Sequence, residues 1–129
     1  MDAESCSIEA ASLDLVERHL AEREEVVLAF SGCSMLPLFR PGDRVRISRA
    51  SAAAVREGEV VAVRIEDRLV LHRVLAIHLD DGGRPRLVVT KGDNNLRPDP
   101  PVAVEQLLGE VAEVYRRPSR QELALASVM

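Results

Sequence analysis

The chain has 129 residues, 47% of them hydrophobic and 29% charged, which suits one globular domain with a substantial core and excludes a disordered chain. Net charge is −4, from 17 basic and 21 acidic side chains, and aromatics are only 2%, whereas a nucleic-acid binder wants excess positive charge and stacking rings. Two cysteines, Cys6 and Cys33, are too few for a disulfide framework or a CxxC zinc site, and apolar runs such as Val26–Phe30 fall far short of the ~20 residues of a membrane span.

Met1-Asp2-Ala3-Glu4-Ser5 is acidic, with no basic or apolar leader region, so no signal peptide is readable and a soluble, cytoplasmic protein is expected. Residues 8–23 read as a helix with Ile8, Leu13, Val16 and Leu20 near one face. That helix is expected to pack on the edge of the rest of the fold. The remainder reads as short strands separated by turn signals, over Val26–Ser31, Arg44–Ser48, Glu59–Glu66, Arg68–Leu79, Arg86–Thr90 and Leu108–Tyr115. Pro41-Gly42-Asp43, Arg56-Glu57-Gly58, Asp80-Asp81-Gly82-Gly83 and Lys91-Gly92-Asp93-Asn94-Asn95 are turn signals, and Glu66-Asp67 suits a tight hairpin. Pro98-Asp99-Pro100-Pro101 must be a rigid extended loop. The organisation predicted is a helical arm over 1–24, a core over 25–115 and a tail over 116–129 that forms a loose helix. The fold class is mainly β: one curled sheet or partial barrel with an N-terminal helix.

Three stretches hold residues able to do chemistry. In Ser31-Gly32-Cys33-Ser34-Met35-Leu36-Pro37 a strand breaks at Gly32, and Ser34 can be held exposed with its own N–H free, as an oxyanion donor needs. In Leu69-Val70-Leu71-His72-Arg73-Val74 alternation puts a half-buried His72 on the face of Val70 and Val74. His78 shares its parity but lies about 20 Å along the strand, too far to serve the same small site. His19 reads as helix surface. In Thr90-Lys91-Gly92-Asp93-Asn94-Asn95, with Asp99 soon after, a tight turn places carboxylates near a strand end. Singly, these are an ordinary strand-to-loop transition, a core histidine bonded to a carbonyl and an Asx-type turn. Together they supply a hydroxyl nucleophile, an imidazole base and an orienting acid.

Gly32-Cys33-Ser34-Met35-Leu36-Pro37, Gly42-Asp43, Gly58-Glu59-Val60-Val61, His72-Arg73-Val74, Thr90-Lys91-Gly92-Asp93-Asn94-Asn95 and Leu108-Gly109-Glu110-Val111 resemble, in order, the conserved boxes of the signal peptidase I family. That family shares its fold with the self-cleaving repressors of the SOS response, and the similarity covers roughly residues 25–115. The common bacterial form pairs its serine with a lysine; the form of the endoplasmic reticulum and many archaea has His-Arg-Val in that box and uses Ser, His and Asp. Lys91, the only lysine, belongs to a different box. The resemblance therefore implies Ser34 as nucleophile, His72 as base and Asp99 as orienting acid. Asp93 is the alternative acid, better suited to holding the turn. Gly32, Cys33, Met35 and Pro37 would form the oxyanion and substrate-binding surroundings.

The chain departs from the family in two ways. No membrane anchor is expected, and Gly32 stands where many members carry a hydroxyl that assists the oxyanion hole; one lost donor can cost ~10²–10³ in rate. Cys33 is expected to point away as a packed thiol. Leu36, Leu38 and Phe39 form an apolar segment suited to packing, and also to a substrate or a peripheral membrane contact. The function expected is a soluble serine endopeptidase cutting a peptide or protein precursor after small residues. A catalytically weak peptide-binding module is the alternative. A self-cleaving regulator fits poorly: only 33 residues precede Ser34, and none of the first 31 is glycine. Arg40, Arg44, Arg46 and Arg49 read as a solvated strand face. No nucleic acid, metal or cofactor is implied. Ala124-Leu125-Ala126 matches a small-x-small pattern that an Ala-rich chain produces readily by chance.

Overall fold

The computed structural model describes residues 10–29, 32–49 and 54–116. Ile8, Ser31 and the expected C-terminal helix, with its Ala124-Leu125-Ala126, lie outside them. In chain order the elements are helix α1 (Ala10–Arg23) and strands β1 (Glu25–Ala29), β2 (Arg44–Arg49), β3 (Val60–Ile65), β4 (Arg68–Leu79), β5 (Pro85–Lys91), β6 (Val102–Ala103) and β7 (Leu107–Tyr115). A single 3₁₀ turn over Val104–Gln106 joins the last two strands. The strands make one curled, half-barrel sheet in the order β1-β2-β7-β3-β4-β5-β6, antiparallel at every pairing. The mainly β architecture with one N-terminal helix is therefore as the short runs and turn signals predict. Among the described residues no helix is long and apolar enough to cross a membrane.

Leu13, Val16 and Leu20 of α1 are spaced i, i+3 and i+7, and all three are buried. They share a core cluster with Met35, Phe39, Val45, Ile47, Ala62, Leu69 and Leu71. The helix thus packs against the edge strand β1, as expected, and also reaches across one face of the sheet to residues of β2, β3 and β4. Arg64 of β3 ties it down through hydrogen bonds to Glu17 and Asp14. The helix ends at Glu24, whose φ of 68° returns its N–H to the Leu20 carbonyl at 2.9 Å.

Strands β3 and β4 meet at Glu66 and Asp67, whose φ values of 51° and 61° mark the two-residue turn that suits strand twist. The register pairs Ala62 with Leu71 on the helix side, and Val61 with His72 and Val63 with Val70 on the other. Both faces are covered here. Val61, Val74, Val88 and Val104 form one cluster on the second face, and Val63, Ile65 and Val70 another. This corrects the expectation of a half-buried His72, which is 1% exposed. Past Val74 the ladder slips by one residue, leaving Leu75 bulged out and 43% exposed. The bulge breaks the parity assumed between His72 and His78, and His78 is exposed near the strand end.

Candidate active site

The chain leaves β1 and enters a tight loop at Gly32, where φ is 95°, a conformation that suits a residue without Cβ. Bonds from Leu36 N–H to the Cys33 carbonyl (3.2 Å) and from Phe39 N–H to the Met35 carbonyl (3.3 Å) wind the next residues into one turn. Met35 and Phe39 are fully buried in the helix-side core and anchor that turn. Ser34, beside the first of these anchors, is only 2% exposed, which corrects the expectation of an exposed serine. The Met35 side chain is likewise not available to a substrate: it is a packing group. Within the apolar segment, Phe39 is core, while Pro37 and Leu38 face solvent. Cys33 is a free, half-buried thiol in a bend.

His72 faces this loop. Its Nε2 lies 3.1 Å from Ser34 Oγ, and its Nδ1 lies 2.6 Å from Asp99 Oδ2. A buried ring needs both nitrogens satisfied, and here both are. The Asp99 carboxylate accepts, which places the proton on Nδ1 and leaves the Nε2 lone pair toward the serine hydroxyl. Such a chain can take a proton from Ser34 and hold the resulting imidazolium. Asp99 reaches the site because its loop folds back on β5, where its N–H bonds the Thr90 carbonyl at 2.8 Å. Thr90 also donates its hydroxyl to Asp99 Oδ2 at 2.7 Å. Sequence reasoning assigns Thr90 no role, since a threonine inside a strand is ordinary.

Asp93 goes elsewhere. Arg73 grips it in a fork, Nε to Oδ1 at 2.8 Å and a terminal nitrogen to Oδ2 at 2.7 Å, and bonds the Gly58 carbonyl at 2.8 Å. The guanidinium holds the Asp93 carboxyl below the usual carboxylate range, against the opposing effect of burial. The structure thus brings Ser34, His72 and Asp99 together and leaves Asp93 on the clasp. The rest of the Gly92–Asn95 turn braces the serine loop. Asn94 donates its backbone N–H to the Ser34 carbonyl at 2.7 Å and its amide to the Cys33 carbonyl at 3.1 Å. Asp93 N–H meets Met35 Sδ at 3.3 Å. Lys91 bonds the Gly92 carbonyl at 3.2 Å, and His72 occupies the place beside Ser34. Of the expected arginine face, Arg46 pairs with Glu25 and Glu113, and Arg49 with Glu24.

The sequence is similar to that of known proteins. The chain is similar to the signal peptidase complex catalytic subunit SEC11C of Homo sapiens, 38% identical over 72 residues that cover 54% of this chain and 36% of that protein. It is similar to the putative signal peptidase complex catalytic subunit SEC11B of Homo sapiens, 38% over 74 residues, covering 56% and 43%. The signal peptidase complex catalytic subunit SEC11 of Lachancea thermotolerans is 34% identical over 79 residues, covering 60% and 46%. The chain spans less than half the length of these curated relatives. Residues 4–106, most of the chain and all the strands and loops that meet at Ser34, match the Peptidase S24-like family, and the chain belongs to that family.

Proposed function

We propose that the chain is a serine endopeptidase in which Ser34 attacks, His72 is the general base and Asp99 orients it. The observation that carries this reading is the buried run of hydrogen bonds from Ser34 Oγ through both nitrogens of His72 to Asp99. In the first step Ser34 Oγ bonds the scissile carbonyl carbon and its proton passes to His72 Nε2. The carbonyl oxygen becomes an oxyanion facing the Ser34 N–H. Collapse expels the amine, which takes the proton from Nε2, and water then hydrolyses the acyl-enzyme by the same relay. The substrate binds extended along β1, which is an edge strand paired with β2 alone among the described strands and runs toward Ser34. Its class is a peptide or protein precursor with small residues before the cut, by analogy with the signal peptidase relatives.

The test is mass spectrometry of a mixed peptide library incubated with wild type, Ser34→Ala, Asp93→Asn and Asp99→Asn. Cuts after small residues are expected from wild type and none from Ser34→Ala. Asp99→Asn is expected to lose ~10⁴ in kcat, as when an orienting acid is removed, and Asp93→Asn far less. Cuts that survive Ser34→Ala overturn the assignment. A second reading, peptide binding without turnover, is favoured by Gly32, which offers no side-chain donor to an oxyanion. It predicts library peptides retained equally by wild type and Ser34→Ala, with no product.

A further inference from the structure

Thr90 sits on β5 opposite Val74 of β4 and is 1% exposed. It holds Asp99 twice: its carbonyl takes the Asp99 N–H at 2.8 Å, and its Oγ1 donates to Asp99 Oδ2 at 2.7 Å. That oxygen is the one His72 Nδ1 meets at 2.6 Å. Among the described residues, the side-chain hydrogen bonds to the Asp99 carboxylate come from Thr90 and His72. Asp99 belongs to a loop bounded by prolines, with no ladder of its own, so its backbone fixes where the carboxylate starts and not how it is turned. A carboxylate with one partner can rotate about its last bond. With two donors converging on one oxygen it cannot turn without losing a charge-assisted bond.

We propose that Thr90 is a positioning residue of the Ser34–His72–Asp99 site, its hydroxyl locking Asp99 Oδ2 in line with His72 Nδ1. The consequence is a fixed tautomer: the ring proton stays on Nδ1, and Nε2 stays free for the serine proton. The inference rests on the reading of these three residues as a catalytic site. The two bonds are separable. Thr90→Val keeps the backbone bond, the β-branched shape and the packing, and deletes the hydroxyl alone; Thr90→Ser restores it.

The experiment compares wild type, Thr90→Val, Thr90→Ala, Thr90→Ser and Ser34→Ala, each checked for a cooperative melt. The first readout is proton NMR of the hydrogen-bonded His72 Nδ1–H and its exchange rate with water. Exchange is expected to quicken about tenfold or more in Thr90→Val and Thr90→Ala, and to stay within about twofold of wild type in Thr90→Ser and Ser34→Ala. The second readout is peptide cleavage: kcat falls about 10- to 100-fold in Thr90→Val with KM little changed, and Thr90→Ser recovers most of it. A folded Thr90→Val or Thr90→Ala whose Nδ1–H exchanges as slowly as wild type overturns the proposal. If exchange responds as expected while wild type cleaves no peptide, the positioning role holds and the peptidase reading is what fails.

Discussion

Gly92 is where the turn before Asp93 touches the serine loop, and Gly92→Ala tests whether that contact sets the position of Ser34. An added Cβ would lie 2.7 Å from the Ser34 carbonyl oxygen, 2.7 Å from Asn95 Nδ2 and 3.0 Å from Asn95 Cγ. Comfortable separation is about 3.5 Å, so something must yield by about 0.8 Å. The Asn95 amide can swing. The Ser34 carbonyl is backbone, fixed by Asn94 N–H at 2.7 Å and by the buried Met35 beside it. The displacement therefore falls on Ser34. A 1 Å misplacement of a reacting group costs on the order of 10²-fold, so kcat/KM should fall about 10- to 100-fold. Overpacking costs about 1–3 kcal/mol, a melting shift of roughly 3–12 °C for a chain of this size. Gly83→Ala separates strain from displacement. Gly83 has φ of 79° and nothing within 4 Å of an added Cβ, so alanine there costs about 1–2 kcal/mol of backbone strain and no activity. The assay is peptide cleavage, with the rate of Ser34 phosphonylation by a fluorophosphonate as a substrate-independent measure, alongside melting of both variants. Gly92→Ala reacting within threefold of wild type, or the two variants losing equal activity, refutes the reasoning.

Two further predictions concern stability and its pH dependence. Arg73→Gln removes the fork on Asp93 and the bond to Gly58, and should cost about 1 kcal/mol at pH 7, the measure of a partly exposed bidentate pair. Asp93 titrates lower in the folded protein than unfolded, so the clasp's contribution is present above the ordinary carboxylate range and is lost as pH falls through the folded value; melting curves should show the gap between variant and wild type closing below about pH 4, and an undiminished gap at pH 2 would contradict it. Glu59 behaves oppositely: burial and the neighbouring Glu110 carboxyl raise it, so folding favours its protonated form and stability is lost as pH rises through the raised value. Glu59→Gln should therefore raise the melting temperature at pH 7 and gain little at pH 4; an equal gain at both, or a loss at pH 7, counts against it.

Much of the fold is legible in the sequence because local signals agree with it. Val60–Ile65 and Arg68–Leu79 are runs rich in Val, Leu and Ile, and Glu66-Asp67 separates them as a two-residue turn, so the β3–β4 hairpin follows from local signals alone. The features that escape leave no pattern. Strand β6 is two residues after a proline run, and its pairing with β5 is tertiary. The bulge at Leu75 is a register event that changes no composition. Burial of Ser34 contradicts its turn-like sequence because Met35 and Phe39, which look like loop residues, are the anchors. At the site, the residue types at strand ends suggest Ser34, His72 and an aspartate, and the family resemblance favours Asp99 over Asp93. The geometry that distinguishes the two depends on where the loop after β5 lands, which spacing does not encode. Thr90 is invisible for the same reason: its partner is nine residues away across that loop.

The three residues that meet at the site are held by three different kinds of structure, and this divides its vulnerabilities. His72 is set by strand register: Val61 opposite it and Val70 and Val74 beside it fix the ring's starting point as firmly as the sheet itself. Ser34 is set by packing, through Met35 and Phe39 in the same core that receives Leu13, Val16 and Leu20 of α1. Asp99 is set by its hydrogen bonds to Thr90 and His72, since its loop buries little. Because β3 and β4 separate the helix-side core from the His72 face, a change in α1 reaches Ser34 before it reaches His72. A change at the Thr90 hydroxyl reaches Asp99 first. The Gly92–Asn95 turn is where these supports join: it bonds the serine loop on one side and is clasped by Arg73, the neighbour of His72, on the other. A single four-residue turn thus ties a loop positioned by the core to a ring positioned by the sheet. That is why its glycine, with no room for one added carbon, is a position where a small substitution should move Ser34.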